Sequence, residues 1–222
     1  MRFNSQSNLI EKLTQSSRAL SIIKHHLPQE LLLQFFNAHI MSHLYYCSFL
    51  FAKFTQDEIL RLQRIQNRCI RQIFGLDSRH STLDLFQTYA KNTLPVIGII
   101  YASLITNIHK SLMLDKDELI KFEINNSNRR SSGKLVSSRF RKKQYLGTDI
   151  TYLGVILYNQ LGNELKRIKN INKFKLETKQ YVIGKIDLLL APDQLKTRRI
   201  SWWVIVSTFV FHNCLKFDFL TL

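Results

Sequence analysis

Arg61, Arg64, Arg68 and Arg71 recur at spacings of three, four and three in the stretch L-R-L-Q-R-I-Q-N-R-C-I-R-Q-I-F-G. On a helix turning about 100° per residue they share an arc of roughly 80°. No acid lies among them. Guanidinium forks match phosphate oxygens, so an unneutralised ridge of this kind can hold a polyanion. The same pattern also describes an ordinary solvated helix face. A second cationic set, Arg129, Arg130, Lys134, Arg139, Arg141, Lys142 and Lys143, follows without an intervening acid, and Phe140 and Tyr145 are interleaved. Such a segment can neutralise phosphates while a ring stacks on an exposed base. It fits equally a nuclear import signal, a basophilic kinase site at Ser132, or a solvated linker.

Other constellations are weaker. His39, His43 and Cys47 recur every four residues, a spacing that could offer three ligands to one metal. No fourth ligand accompanies them, so surface or packed histidines are the expectation and no metal is assigned. The carboxylates are scattered: Asp115, Asp117 and Glu118 fall in an apparent loop, and Asp149 stands alone. Two-metal polymerases and nucleases need convergent carboxylates. There is no glycine-rich phosphate loop, G-x-S-x-G, H-E-x-x-H or C-x-x-C. The expectation is a protein that is not an enzyme and needs no cofactor.

The composition points the same way. The 222 residues carry 32 Lys+Arg against 16 Asp+Glu, a net +16. The larger share of that surplus falls between residues 121 and 180. A surplus of this size predicts nucleic acid as partner first and an anionic membrane second. Only 3 prolines and 7 glycines predict long helices rather than many turns. Three scattered cysteines suit a reducing compartment. The polar start lacks a signal-peptide core, so the expected location is intracellular, in nucleus or cytoplasm, and not secreted.

The elements that must position these residues are helical. Thr55 and Glu58 form a capping-box pattern, with Phe54 and Ile59 as a staple. Gly75 supplies a left-handed stop. The predicted helix spans about 56 to 74, with Ile59, Leu62, Ile65, Cys69 and Ile73 opposite the arginines. Pro28 opens an earlier helix at its first position. Leu32, Phe35, Phe36, Ile40, Leu44, Cys47 and Phe51 carry its apolar stripe to about residue 52. Leu9, Leu13, Leu20 and Ile23 mark an amphipathic segment from roughly 8 to 25. Ser81-Thr82 caps a short helix, and Pro95 opens one bearing Val96, Ile99, Ile100, Leu104 and Ile108. Residues 150–184 read as a short helix pair with a basic outer face. Sixteen uncharged residues, Ile200 to Leu215, follow Lys196, Arg198 and Arg199 and contain Trp202-Trp203. They suit a membrane tail or a packed apolar one; they fall short of the ~17–25 residues of a spanning helix.

Several of these segments, taken in order, resemble the region downstream of the polymerase core in non-LTR (LINE-type) retrotransposon reverse transcriptases. Leu62-Gln63-Arg64-Ile65-Gln66-Asn67-Arg68-Cys69-Ile70-Arg71 through Gly75 is similar to that family's Leu-Gln-x-x-Gln-Asn-x-x-x-Arg helix closed by glycine. Leu27-Pro28 and Leu44-Tyr45-Tyr46-Cys47 resemble its preceding Leu-Pro helix. Thr82, Leu85 and Leu94-Pro95-Val96 fit the helices that follow. Leu157-Tyr158-Asn159-Gln160-Leu161 resembles a late Leu-Trp-Asn-x-Leu motif, with Tyr158 for Trp and Gly162 where Pro is common; Phe174-Lys175 and Tyr181 fit the helix after it. The likeness covers roughly residues 8–183. It implies a thumb-like and C-terminal portion that helps hold template RNA and target DNA. The family's catalytic aspartates and endonuclease have no counterpart here, so polymerase activity is not implied.

The resulting expectation is a mainly α protein: an antiparallel helical bundle, then a basic linker and a small helical C-terminal region. The expected divisions are 1–120 thumb-like domain, 121–148 basic linker, 149–184 helical region and 185–222 apolar tail. Its expected function is binding RNA or DNA backbone through Arg61, Arg64, Arg68 and Arg71 with Arg129, Arg130, Arg139, Arg141, Lys142 and Lys143. A polymerase core supplied by another chain is a further possible partner. The alternatives are a small tail-anchored membrane protein held by residues 200–222, or a decayed reading frame with no selected role.

Overall fold

The computed structural model describes residues 5–46, 48–114, 135 and 150–190. They are mainly helical, with no strand element among the described residues. In chain order the helices are α1 (Ser5–Ile23), α2 (Gln29–Phe36), α3 (Ser42–Tyr45), α4 (Gln56–Phe74), α5 (Thr82–Asp84), α6 (Val96–Leu114), α7 (Ile150–Asn159), α8 (Asn163–Lys166), α9 (Ile171–Ile183) and α10 (Ile186–Leu189). Two compact units result. One comprises residues 1–48 and 54–99; the other comprises 49–53 and 100–222. The division falls inside α6, a long helix that contributes to both units.

In the first unit α4 is the organising element, and its ends are fixed by local chemistry. The Thr55 hydroxyl accepts from the Glu58 backbone N–H at 3.4 Å, and the Glu58 carboxylate accepts from the Thr55 N–H at 2.7 Å. This reciprocal cap satisfies two donors that a helix start otherwise leaves orphaned. Phe54 and Ile59, on either side of it, are both buried. At the other end Gly75 adopts φ 64° and ψ 29°. That left-handed geometry disfavours any residue with a Cβ. It lets the Leu76 N–H return to the Arg71 carbonyl at 2.9 Å.

The apolar stripe of α4 packs against α1 and α2. Leu62, Cys69, Ile70 and Ile73 are buried from α4, Leu13 and Leu20 from α1, and Leu32 and Phe36 from α2. Ile65, expected in the stripe, is half-buried. A π-helical stretch, Asn37–Met41, joins α2 to α3. Its wider turn shifts the helical phase, and both Ile40 and Met41 are buried.

The helix expected to continue to residue 52 stops at Tyr45. Tyr46 is extended (φ −66°, ψ 119°), and a 3-10 turn, Ser48–Lys53, follows. Phe51 and Ala52 are buried from that turn, so the apolar residues that suggested a longer helix are accommodated by a change of direction. Pro28 also sits one residue earlier than expected: it is the N-cap of α2, and its carbonyl accepts from the Leu32 N–H at 3.2 Å.

The buried residues of the second unit include Ile100, Tyr101, Leu104, Ile105 and Ile108 from α6, Leu153, Val155, Leu157 and Tyr158 from α7, and Phe174 and Val182 from α9. Gly154 permits the close approach of α7 to α6, since a Cβ there would lie 2.8 Å from Ile108 Cγ1. The Asn170 side chain caps α9, accepting from the Asn172 and Lys173 N–H groups at 2.9 and 3.1 Å. Arg167, Lys169, Lys173 and Lys175 are exposed, in keeping with the basic outer face read from the sequence.

Candidate nucleic-acid interface

Gln63, Gln66 and Asn67 are buried side chains on α4, and they fix the groups around the arginine ridge. The Gln63 amide N–H₂ donates to Gln66 Oε1 at 3.0 Å and to Asn67 Oδ1 at 2.8 Å. Gln66 Nε2 donates to the Leu94 carbonyl at 2.8 Å and lies 3.4 Å from Met41 Sδ. The Val96 N–H donates to Gln63 Oε1 at 2.8 Å and to Gln66 Oε1 at 3.1 Å. Pro95 has no N–H of its own, so Val96 presents a first donor of α6, and the two glutamines cap it from another helix. Asn67 Nδ2 donates to Thr82 Oγ1 at 3.2 Å, tying the start of α5 to α4. In the sequence these amides stand out only by their order in a motif. Their physical role is to accept and donate where buried backbone would otherwise lack partners.

On the other side of α4, Arg61, Arg64 and Arg68 are exposed. Among the described residues, none of the three has an ion pair. Arg71 departs from the free ridge that was expected. It is half-buried, and its Nη2 donates to the His80 carbonyl at 2.6 Å. Burial pulls its pKa down, while the charge of Asp77 pushes it back up. It is a brace for the 75–80 loop as well as a cation. The Arg79 backbone N–H and the Ser78 hydroxyl hold the Asp77 carboxyl below the usual carboxylate range. His80 pairs with Asp84. Thr88 donates to the other oxygen of Asp84 at 2.6 Å.

Arg64, Arg68 and Arg71 line an open cleft of about 640 Å³ together with Lys24, Asn67, Gln72, Gly75, Leu76, Ser78 and Thr82. Arg61 lies outside that lining. Lys24 was missed from sequence because it joins the arginines only through the packing of α1 on α4. The lining has four cations and no acid; Asp77 acts on Arg71 without lining the cleft. Arg64 to Arg71 spans about 10 Å along the helix axis at ~1.5 Å per residue. At roughly 3.4 Å of rise per nucleotide, that is the reach of about three phosphates.

The second unit has its own buried polar centre. His109 is fully buried. Its Nε2 lies 2.8 Å from the Ile168 carbonyl, and its Nδ1 lies 3.0 Å from the Tyr158 hydroxyl. A carbonyl only accepts, so Nε2 carries the proton and the Tyr158 hydroxyl donates to Nδ1. The ring stacks on Phe174 at 3.6 Å with an interplanar angle of 10°. Burial holds the imidazole pKa below its ordinary value, offset in part by the Ile168 carbonyl. Asn159 pairs with the backbone of Leu135: its Oδ1 accepts from the Leu135 N–H at 3.0 Å, and its Nδ2 donates to the Leu135 carbonyl at 3.0 Å. Leu135, which sits in the basic stretch of the sequence, is itself buried.

Arg129, Arg130, Arg139, Arg141, Lys142 and Lys143 lie outside the described residues, as do Cys47 and the 200–222 tail. Of the possible metal set, His39 is exposed and its ring packs against Phe35 at 4.5 Å, and His43 is half-buried. No cluster suited to a metal occurs among the described residues. Among the described residues one helix, over Val96–Met113, is long and apolar enough to cross a membrane, with mean hydropathy 1.3; 61% of that window is buried within the protein. No protein family, curated protein or solved structure matches this chain.

Proposed function

We propose that this chain is a nucleic-acid-binding protein that grips phosphate backbone in the Lys24–Arg64–Arg68 cleft and carries out no chemistry of its own. The observation that carries this reading is the convergence of those three cations with Arg71 in one cleft without a lining acid. The resemblance to the post-palm region of LINE-type reverse transcriptases supports it, since such a region would hold template and target while another chain supplies the polymerase core. The basic stretch containing Arg129, Arg130, Arg139, Arg141, Lys142 and Lys143 adds affinity that is independent of sequence, because phosphate contacts position a strand without reading it.

The test is the triple variant K24Q/R64Q/R68Q, titrated against RNA hairpins and duplex DNA at two salt concentrations. Arg71 is left in place because it braces the 75–80 loop. Binding weakens, and the slope of log affinity against log salt flattens by about two to three, close to one for each phosphate that is no longer neutralised. Unchanged strength and slope in the triple variant overturn the assignment.

A further inference from the structure

Resting on the reading that this cleft holds phosphates, we propose that its occupant is single-stranded RNA, and that Gln72 selects it by accepting a hydrogen bond from a ribose 2′-hydroxyl. The lining cations bind the phosphates of RNA and DNA alike and give no preference between them. Most other polar lining groups are already committed. Asn67 Nδ2 donates to Thr82, the Ser78 hydroxyl donates to Asp77 at 3.0 Å, and Arg71 Nη2 donates to the His80 carbonyl.

Two buried atoms on lining side chains have no partner among the described residues: Arg71 Nε and Gln72 Oε1. One is a donor and the other an acceptor. A phosphodiester oxygen satisfies the Arg71 donor but has no proton to give Gln72. A ribose 2′-hydroxyl donates as well as accepts, and deoxyribose has nothing in its place. Gln72 is half-buried as a whole and lines the cleft, while its Oε1 is buried; meeting a 2′-hydroxyl requires rotation about its own side-chain bonds. The cleft volume of about 640 Å³ is that of a small-ligand site. It suits a few unpaired nucleotides better than the breadth of a duplex.

The full chain is titrated by fluorescence anisotropy with oligouridine, oligodeoxyuridine and 2′-O-methyl oligouridine of equal length. The base is the same throughout, so base contacts cancel in the ratio. Oligouridine binds about five- to tenfold more tightly than either of the others, the worth of roughly one net hydrogen bond. Gln72→Met, which keeps the side-chain length and removes the acceptor, brings the ratio to about one by weakening the RNA complex alone; its far-UV circular dichroism is unchanged. K24Q/R64Q/R68Q weakens all three ligands alike. Equal binding of oligouridine and oligodeoxyuridine by the wild-type chain, or a preference that survives 2′-O-methylation, overturns the inference while leaving the cleft assignment standing. A preference that survives Gln72→Met does the same. A triple variant that binds all three as tightly as wild type overturns the cleft assignment and this inference with it.

Discussion

Each unit buries a polar network, and the two are built from different chemistry. In the first unit Gln63, Gln66 and Asn67 hold one another, the Leu94 carbonyl and the Val96 N–H. In the second, Tyr158, His109 and the Ile168 carbonyl form a chain closed by the Phe174 ring. Amides do not titrate near neutrality, so the first network is the same at pH 5 and pH 8. An imidazole does titrate there. Two buried networks of similar size thus give one molecule a polar centre that is indifferent to pH and another that responds to it.

The largest expected effect is the loss of Gln66, which is 0% exposed. Gln66→Leu leaves the Leu94 carbonyl without its donor and removes one acceptor from Val96. It is expected to cost about 3 kcal/mol, because an unsatisfied buried group bears its full desolvation cost. Hydrogen exchange of α4 and of the first turn of α6 reads this out, and the loss should be the same at pH 5 and pH 8. A loss that varied with pH would break the contrast between the units.

Acid should act on the other unit. His109 has a folded-state pKa below its ordinary 6.5, so between those two values the unfolded chain binds a proton that the folded chain refuses. Stability supplied by the neutral imidazole is full above about pH 6.5 and is lost as the pH falls through the depressed value. Each tenfold reduction in its proton affinity on folding corresponds to about 1.4 kcal/mol. The expected result is that protection of α7 and α9 falls on acidification below pH 6.5 while α4 is unaffected. His109→Phe should remove that slope.

Tyr158→Phe sharpens the same contrast at about 1 kcal/mol, the net value of one hydrogen bond. The hydroxyl donates only to a neutral imidazole. Chemical denaturation above pH 6.5, where the imidazole is neutral, measures the loss. The smallest effect belongs to the surface of α4. Thr55→Ala removes the hydroxyl acceptor of the cap and should cost roughly 0.5–1 kcal/mol, seen as fraying of residues 56–59.

What was legible in the sequence was local. The capping box at Thr55 and Glu58, the glycine stop at Gly75, the helix after Pro95 and the mainly α class all follow from groups a few residues apart. Neighbours in sequence satisfy such groups whatever the rest of the chain does. The arginine arc was legible for the same reason: helix geometry alone places Arg61, Arg64, Arg68 and Arg71 on one side. The helix expected to run to residue 52 ends at Tyr45 instead, because an apolar stripe says which residues seek burial and not whether the backbone turns to bury them.

Only the tertiary structure decided the rest. It made Arg71 a brace by bringing the His80 carbonyl to it, left Arg61 outside the cleft, and added Lys24 from the end of a helix remote in sequence. It also turned Gln63 and Gln66 into the buried cap of a distant helix, Asn67 into a tie to Thr82, and Asn159 into a clamp on Leu135. Hydrogen-bonding partners 24 to 33 residues apart leave no periodic trace. Local spacing fixes the face on which a side chain stands, and packing between helices fixes what it meets there.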